Sequence, residues 1–197
     1  MLGWSGGGPH ALACGYRFPE RLTAVGVVTG FAPFDRPSAT DGMRKDMRRF
    51  LPLMRTFPWL ANVFVSPLPG EYRRDPARAF EKQFGRDLPE CDRRALADEQ
   101  VRGNLLAGAV EAVRQGSKGL GNDVQLFMAR PWGFSPSSLR VPIHLWYGES
   151  DTLTPPQMGH YLAQSIPQSH LTVYPNEGHM IFYTHWSDIL TTLRSAS

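Results

Sequence analysis

Gly3-Trp4-Ser5-Gly6-Gly7, with Pro9-His10-Ala11-Leu12-Ala13-Cys14 behind it, stands almost at the first residue of this 197-residue chain. The five residues fit the pattern G-x-S-x-G, and the run behind them is compatible with a helix. A serine on a sharp strand-to-helix turn takes a strained backbone conformation. A side chain two positions away on either side would collide with that turn, so glycine is expected at both ends. The turn exposes the Ser5 hydroxyl and aims the helix N-terminus, with the Gly6 N–H, at an oxyanion forming beside it. A pentapeptide also arises by chance as a glycine-rich turn with an incidental serine, so its meaning rests on what surrounds it.

Outward from the motif, three short apolar runs bounded by turn residues read as buried strands: residues 24–30 (Ala-Val-Gly-Val-Val-Thr-Gly), 143–148 (Ile-His-Leu-Trp-Tyr-Gly) and 170–175 (His-Leu-Thr-Val-Tyr-Pro). Between the last two, Met158, Tyr161, Leu162 and Ile166 recur at helical spacing over 156–166, the length that a parallel crossover needs. A final helix over 185–194 places Trp186, Ile189, Leu190 and Leu193 on one face. The middle, from about 33 to 122, shows no strand and several helical segments broken by prolines. Its clearest helix is predicted over 92–115 and ends at Gly116-Ser117-Lys118-Gly119. Phe50, Met54, Phe57, Trp59 and Phe64 are expected to form a small helical core there.

Two further residues complement Ser5. Asp151 follows directly on the second run and His179 on the third, so both stand at strand ends, where ligands and reactive groups gather in parallel sheets. Serine, acid and histidine in that order are far harder to obtain by chance than the pentapeptide alone. Glu149 is the other candidate acid, and Glu177 flanks the histidine. His10 reads as packed or solvated. His144, His160, His170 and His185 have no partners at metal-ligand spacing, so no metal site is expected. The stretch from Gly116 to Gly121 follows a helix and lacks the Gly-Lys-Ser/Thr ending of a phosphate loop, which makes it a turn between helices.

From Gly3 onward the chain resembles the α/β-hydrolase superfamily, in particular its small bacterial serine members. Three anchors carry the likeness: Gly3-Trp4-Ser5-Gly6-Gly7, Leu145-Trp146-Tyr147-Gly148-Glu149-Ser150-Asp151 and Pro175-Asn176-Glu177-Gly178-His179. The resemblance implies an α/β fold with a mostly parallel sheet, flanking helices and a helical cap insertion, the core comprising 1–34 and 119–197 and the cap 35–118. It also implies a serine hydrolase that cleaves an ester or related acyl bond of a small-molecule substrate without a cofactor. Ser5 would be the nucleophile, His179 the general base and then acid, Asp151 the group that fixes the imidazole tautomer, and Gly6 an oxyanion donor. A serine at the elbow argues against relatives that carry aspartate there, and some cap aromatics would line an apolar acyl pocket.

Composition bounds these readings. With 42% apolar and 20% charged residues the chain can bury one core, and no window approaches a membrane span. The net charge is only +3, and 18 of the 21 basic residues are arginines spread along the middle, which reads as a solvated surface without a nucleic-acid footprint. Cys14 and Cys91 cannot make a disulfide framework and no leader precedes Ser5, so a cytoplasmic setting is expected. Only Met1 and Leu2 precede Gly3, too few for the strand that an elbow should follow. The resembled family places further strands, and a loop with a second oxyanion N–H, upstream. The expectation is therefore the C-terminal two thirds of a longer hydrolase, or a decayed copy that survives as an inactive remnant or binding module. In either case the sheet edge beside the elbow would be open to self-association.

Overall fold

Parallel pairing sets the architecture. The computed structural model describes residues 1–34, 40–85 and 88–195. Among these, β1 (Leu2–Trp4), β2 (Val25–Val28), β3 (Ile143–Gly148) and β4 (Ser169–Tyr174) form one sheet in the order β1-β2-β3-β4, with every pair parallel. The mostly parallel α/β sheet read from the sequence is thus present, and it contains a strand that the sequence reading denied. Met1 and Leu2 alone are too few, but the strand runs on through Gly3 and Trp4, inside the motif, in register with Gly26, Val27 and Val28. Its partners fix it: the Gly26 N–H donates to the Met1 carbonyl at 2.8 Å and the Ser5 N–H to the Val28 carbonyl at 2.9 Å.

Alternation along β2 and β3 explains why both read as continuous apolar runs. Val25, Val27, Ile143, Leu145 and Tyr147 face the main core, where Leu12 of α1 (Gly7–Arg17) and Met158 and Leu162 also pack. Val28 and Trp146 face the other way, against Ile181 and Ile189. Both faces are covered, so neither strand carries a polar stripe. The Tyr147 hydroxyl donates to the Gly30 carbonyl at 2.6 Å, and burial raises its phenol far above the ordinary range.

The crossover and the C-terminal helix depart from expectation only at their ends. Pro156–Ser165 is the helix between β3 and β4. The last helix, which began at His185 in the sequence reading, begins at Trp186, after a separate turn over Ile181–Thr184. Trp186 lies exposed against Phe182, while Ile189 and Leu193 carry the packing.

Between β2 and β3 the described residues are helical: α2 (Lys45–Thr56), α3 (Leu60–Val65), α4 (Leu68–Arg74), α5 (Pro76–Phe84), α6 (Glu90–Ala97), α7 (Glu99–Ala112) and α8 (Lys118–Val124), with a π-helical turn over Gln125–Ala129. Of the insertion expected over 35–118, residues 35–39 and 86–87 lie outside the described residues, as do 196–197 of the expected core. The crossover helix is α9 (Pro156–Ser165), and α10 (Ile181–Thr184) and α11 (Trp186–Ser195) close the chain.

Two readings of this middle need correction. The helix predicted over 92–115 is broken at Asp98, whose extended backbone ends α6 and whose carboxylate caps α7 by accepting the Gln100 and Val101 N–H groups at 2.8 and 3.1 Å. The expected aromatic core is also not one, since Phe50, Phe57, Trp59 and Phe64 are exposed and only Met54 packs inward. Helix α2 carries two apolar stripes: Met47, Leu51 and Met54 meet the main core, and Phe50 and Leu53 lie on the face turned away. The helices' own core is instead Tyr72, Ala79, Phe80 and Val113. Cys14 and Cys91 are free thiols. Among the described residues no helix is long and apolar enough to cross a membrane.

Leu145 is fully buried at the centre of β3. Leu145→Ala should therefore lower the unfolding free energy by about 2–5 kcal/mol in denaturant titration, through lost transfer energy and the cavity left behind.

Candidate active site

Ser5 sits on a left-handed backbone, with φ of 53° between the end of β1 and the start of α1. The Gly8 N–H donates to the Ser5 carbonyl at 3.0 Å and begins the helix. The crowding that demands glycine is partly as expected. A Cβ on Gly3 would land on the Gly7 carbonyl and 2.9 Å from the Ala11 Cβ. Gly7 itself faces open space, and the second tight approach belongs to Gly8, whose Cβ would come within 2.8 Å of the Gly30 Cα. The second position that needs glycine is thus Gly8, one residue beyond the one expected from the motif. Gly6 caps α1, so its N–H stands at the helix's positive end, and a Cβ there would touch the Phe127 ring at 3.3 Å.

The second and third groups come from loops at the same end of the sheet. After β3, Asp151 is 2% exposed, and its Oδ1 accepts the Leu153 and Thr154 N–H groups at 2.7 and 3.0 Å. Its Oδ2 accepts the Thr154 hydroxyl and the His179 Nδ1–H, both at 2.8 Å. With Nδ1 donating, His179 Nε2 is left as acceptor, and the Ser5 Oγ donates to it at 3.0 Å. Ser5, His179 and Asp151 thus form one continuous hydrogen-bonded chain. The other candidate acid takes no part: Glu149 is exposed and accepts the Asn176 N–H, while Glu177 faces His185 and Thr184.

The histidine loop is tied on several sides. Asn176 takes a left-handed conformation at φ of 58°, the Glu149 N–H donates to the Tyr174 carbonyl and the Ser150 N–H to the Glu177 carbonyl at 2.8 Å, so the acid loop and the histidine loop are latched together. The Trp4 indole N–H donates to the His179 carbonyl at 3.2 Å, with the two rings 5.5 Å apart. Trp4, Thr154 and Asp92 all touch this loop or its acid partner, and the sequence reading gave none of them a role. Trp4 lies inside the pentapeptide itself and Thr154 three residues after Asp151. Asp92 appeared only as the first residue of an expected helix.

Burial lowers the His179 imidazole, but the charge of Asp151, its hydrogen bond and the charge of Asp92 outweigh that effect and leave the group above the ordinary histidine value. Beside the elbow lies an apolar wall: Phe127 stacks on Phe31 at 4.9 Å, and Phe31 touches Phe34. His10, on α1, is exposed, 3.7 Å from Asp123 and edge-on to Phe127. Among the described residues no three His, Cys, Asp or Glu side chains gather as a metal site.

A family model described as alpha/beta hydrolase fold matches residues 1–185. The pimeloyl-[acyl-carrier protein] methyl ester esterase of Aromatoleum aromaticum is 24% identical over 194 residues, which are 95% of this chain and 69% of that protein. Its counterpart in Neisseria meningitidis serogroup C is 25% identical over 193 residues, 94% of this chain and 64% of that one. Among solved structures, the enol-lactonase from Burkholderia xenovorans superimposes with a TM-score of 0.63 at 16% identity, covering 99% of this chain and 64% of its own. This chain spans about two thirds of the length of the relatives it matches.

The raised imidazole has a direct readout. In an NMR titration His179 should take up its proton with a midpoint above 6.5, and Asp151→Asn should move that midpoint down, because the charge favouring the imidazolium is gone.

Proposed function

The chain belongs to the alpha/beta hydrolase fold family, and on that premise we propose that it is a serine esterase in which Ser5, His179 and Asp151 act as a catalytic triad. The observation that carries this reading is the unbroken chain of hydrogen bonds from the Ser5 Oγ through the imidazole to Asp151. Serine at its ordinary acidity is a weak nucleophile, and a base within hydrogen-bond reach activates it. His179 Nε2 accepts the Ser5 proton as Oγ attacks the ester carbonyl. The new oxyanion meets the Gly6 N–H at the start of α1. His179 then returns the proton to the departing alcohol, leaving an acyl group on Ser5. Water, deprotonated by the same nitrogen, attacks that acyl group, and as the second tetrahedral species collapses His179 returns this proton to the departing Ser5 Oγ, releasing a carboxylic acid and restoring the hydroxyl. Asp151 keeps the imidazole in the required tautomer and stabilises its positive form. Its other hydrogen bonds keep it an acceptor throughout.

A carboxylic ester is the substrate class this reading favours. The two relatives are named as pimeloyl-[acyl-carrier protein] methyl ester esterases, and the Phe31, Phe34 and Phe127 wall beside Gly6 suits an alkyl or acyl chain. In the same reading the helices within 35–118 serve as the cap, since Asp92 of α6 reaches the histidine loop.

Fluorophosphonate labelling read by intact-mass spectrometry tests the proposal. Wild-type protein should gain one adduct, mapped to Ser5, and Ser5→Ala should gain none and lose at least about 10³-fold in hydrolysis of p-nitrophenyl butyrate. Folded wild-type protein that takes no label would instead establish the non-catalytic, binding-module reading.

A further inference from the structure

Asp92 is a carboxylate in an unexpected place. It is 1% exposed, lies in α6 far from the sheet strands in sequence, and pairs with no cationic side chain among the described residues. Its Oδ2 accepts the backbone N–H of His179 at 3.1 Å and its Oδ1 that of Met180 at 2.9 Å, across 87 and 88 residues of chain. Burying a carboxylate is costly, and here two N–H groups of the histidine loop are what satisfies it. The fit is close: a Cβ on Gly178 would land on the Asp92 carboxylate, and the three nearest atoms it would meet all belong to that group. The absence of a side chain at 178 is what admits Asp92 to the loop.

We propose that Asp92 is a positioning residue for His179: by gripping the N–H groups of His179 and Met180, it holds the imidazole where Nε2 meets the Ser5 Oγ and makes the helical segment part of the reactive assembly. The inference rests on the serine-esterase reading. The grip is two-sided, because Asp92 takes the His179 N–H while the Trp4 indole takes its carbonyl. The groups facing His179 are Ser5 and Trp4 from the elbow, Asp151 and Thr154 from the loop after β3, and Asp92 from α6. Glu177, on its own loop, is turned to His185 and Thr184. Cys91, beside Asp92, has its thiol pushed up by burial and then by the Asp92 charge, so it adds no negative charge of its own. Asp92 and Asp151 are therefore the two acidic side chains that favour the protonated imidazole. Burial raises the Asp92 carboxyl itself, against the pull of its two N–H donors.

Asp92→Asn keeps the volume but leaves one acceptor oxygen where two are used, and it removes the charge. The expected result is a fall of roughly 10–100-fold in kcat and in the rate of fluorophosphonate labelling, with KM little changed. The His179 midpoint in the NMR titration, and the acidic limb of the pH–rate profile, should both move to lower pH. Gly178→Ala approaches the same grip from the other side: its methyl group displaces the carboxylate, and labelling should slow although the charge remains. Asp92→Asn protein that is less thermally stable, yet labels at the wild-type rate with His179 unshifted, would reduce Asp92 to a structural role and overturn the proposal. If Asp92→Asn does not fold, Gly178→Ala labelling at the wild-type rate overturns it equally. Should wild-type protein itself take no label, the esterase reading falls, while the NMR shifts of the His179 ring in Gly178→Ala, where the charge remains, still decide whether the grip positions the imidazole: unchanged ring shifts overturn it.

Discussion

Two backbone hydrogen bonds hold Ser5 in a conformation that an L-residue avoids, and the geometry of the site descends from them. A left-handed backbone at a residue with a Cβ costs about 1–2 kcal/mol, so something must over-determine it. The Val28 carbonyl takes the Ser5 N–H and binds the turn to the sheet, while the Ser5 carbonyl takes the Gly8 N–H and starts α1. The chain therefore leaves β1 and enters a helix within three residues. The hydroxyl is lifted clear of the sheet edge, toward the loops that follow β3 and β4. An extended Ser5 would continue the strand and aim its Oγ elsewhere.

The second constraint is distance. Neighbouring strands lie about 4.8 Å apart, so β1 and β4, at opposite edges of the sheet, are separated by roughly 14 Å. His179 follows β4 and Ser5 follows β1, so the histidine loop has to reach back across β3 and β2. A loop of that reach costs conformational entropy to order, and its anchors are correspondingly many: the latch to the acid loop, the Trp4 indole, Asp151 on the ring and Asp92 on the backbone. Asp151 is held in turn by two backbone N–H groups and the Thr154 hydroxyl, which leaves it a fixed acceptor for one imidazole N–H.

What could be read from the amino-acid sequence followed from how locally each signal is written. β2 and β3 were legible because strands buried on both faces are short apolar runs, and α9 because Met158 and Leu162 recur at helical spacing. β4 was found by the same signal but is not the buried strand expected: it lies at the sheet edge, with His170 and Thr172 exposed and its other residues half-buried. Ser5 stood out through its glycine-flanked pentapeptide, and Asp151 and His179 because their residue types occur just after such runs. β1 was not legible, since three residues that include a glycine carry no periodicity and the pairing with β2 supplies what the segment lacks. The break at Asp98 is a competition between helix continuation and a side-chain cap, which hydrophobic spacing does not register. Phe50, Phe57, Trp59 and Phe64 misled for the opposite reason: apolar spacing on a helix shows that a stripe exists without saying which stripe meets the core. Asp92 left no local trace at all, because its role lies entirely in contacts more than 80 residues away.

The separation between Ser5 and His179, 174 residues along the chain, also governs when the hydroxyl can meet the imidazole during folding. β2 and β3 pair across the whole helical segment, with Val25 opposite Ile143, so the sheet is dominated by non-local contacts and must close long loops before it gains from them. The elbow can form early, from β1, α1 and β2, but Ser5 does not meet His179 until β4 has docked and the loop behind it has closed. In synthesis Ser5 precedes His179 by 174 residues. Under the proposed triad, reactivity at Ser5 is therefore a late folding event, and covalent capture there would count only molecules in which β4 has already joined the sheet.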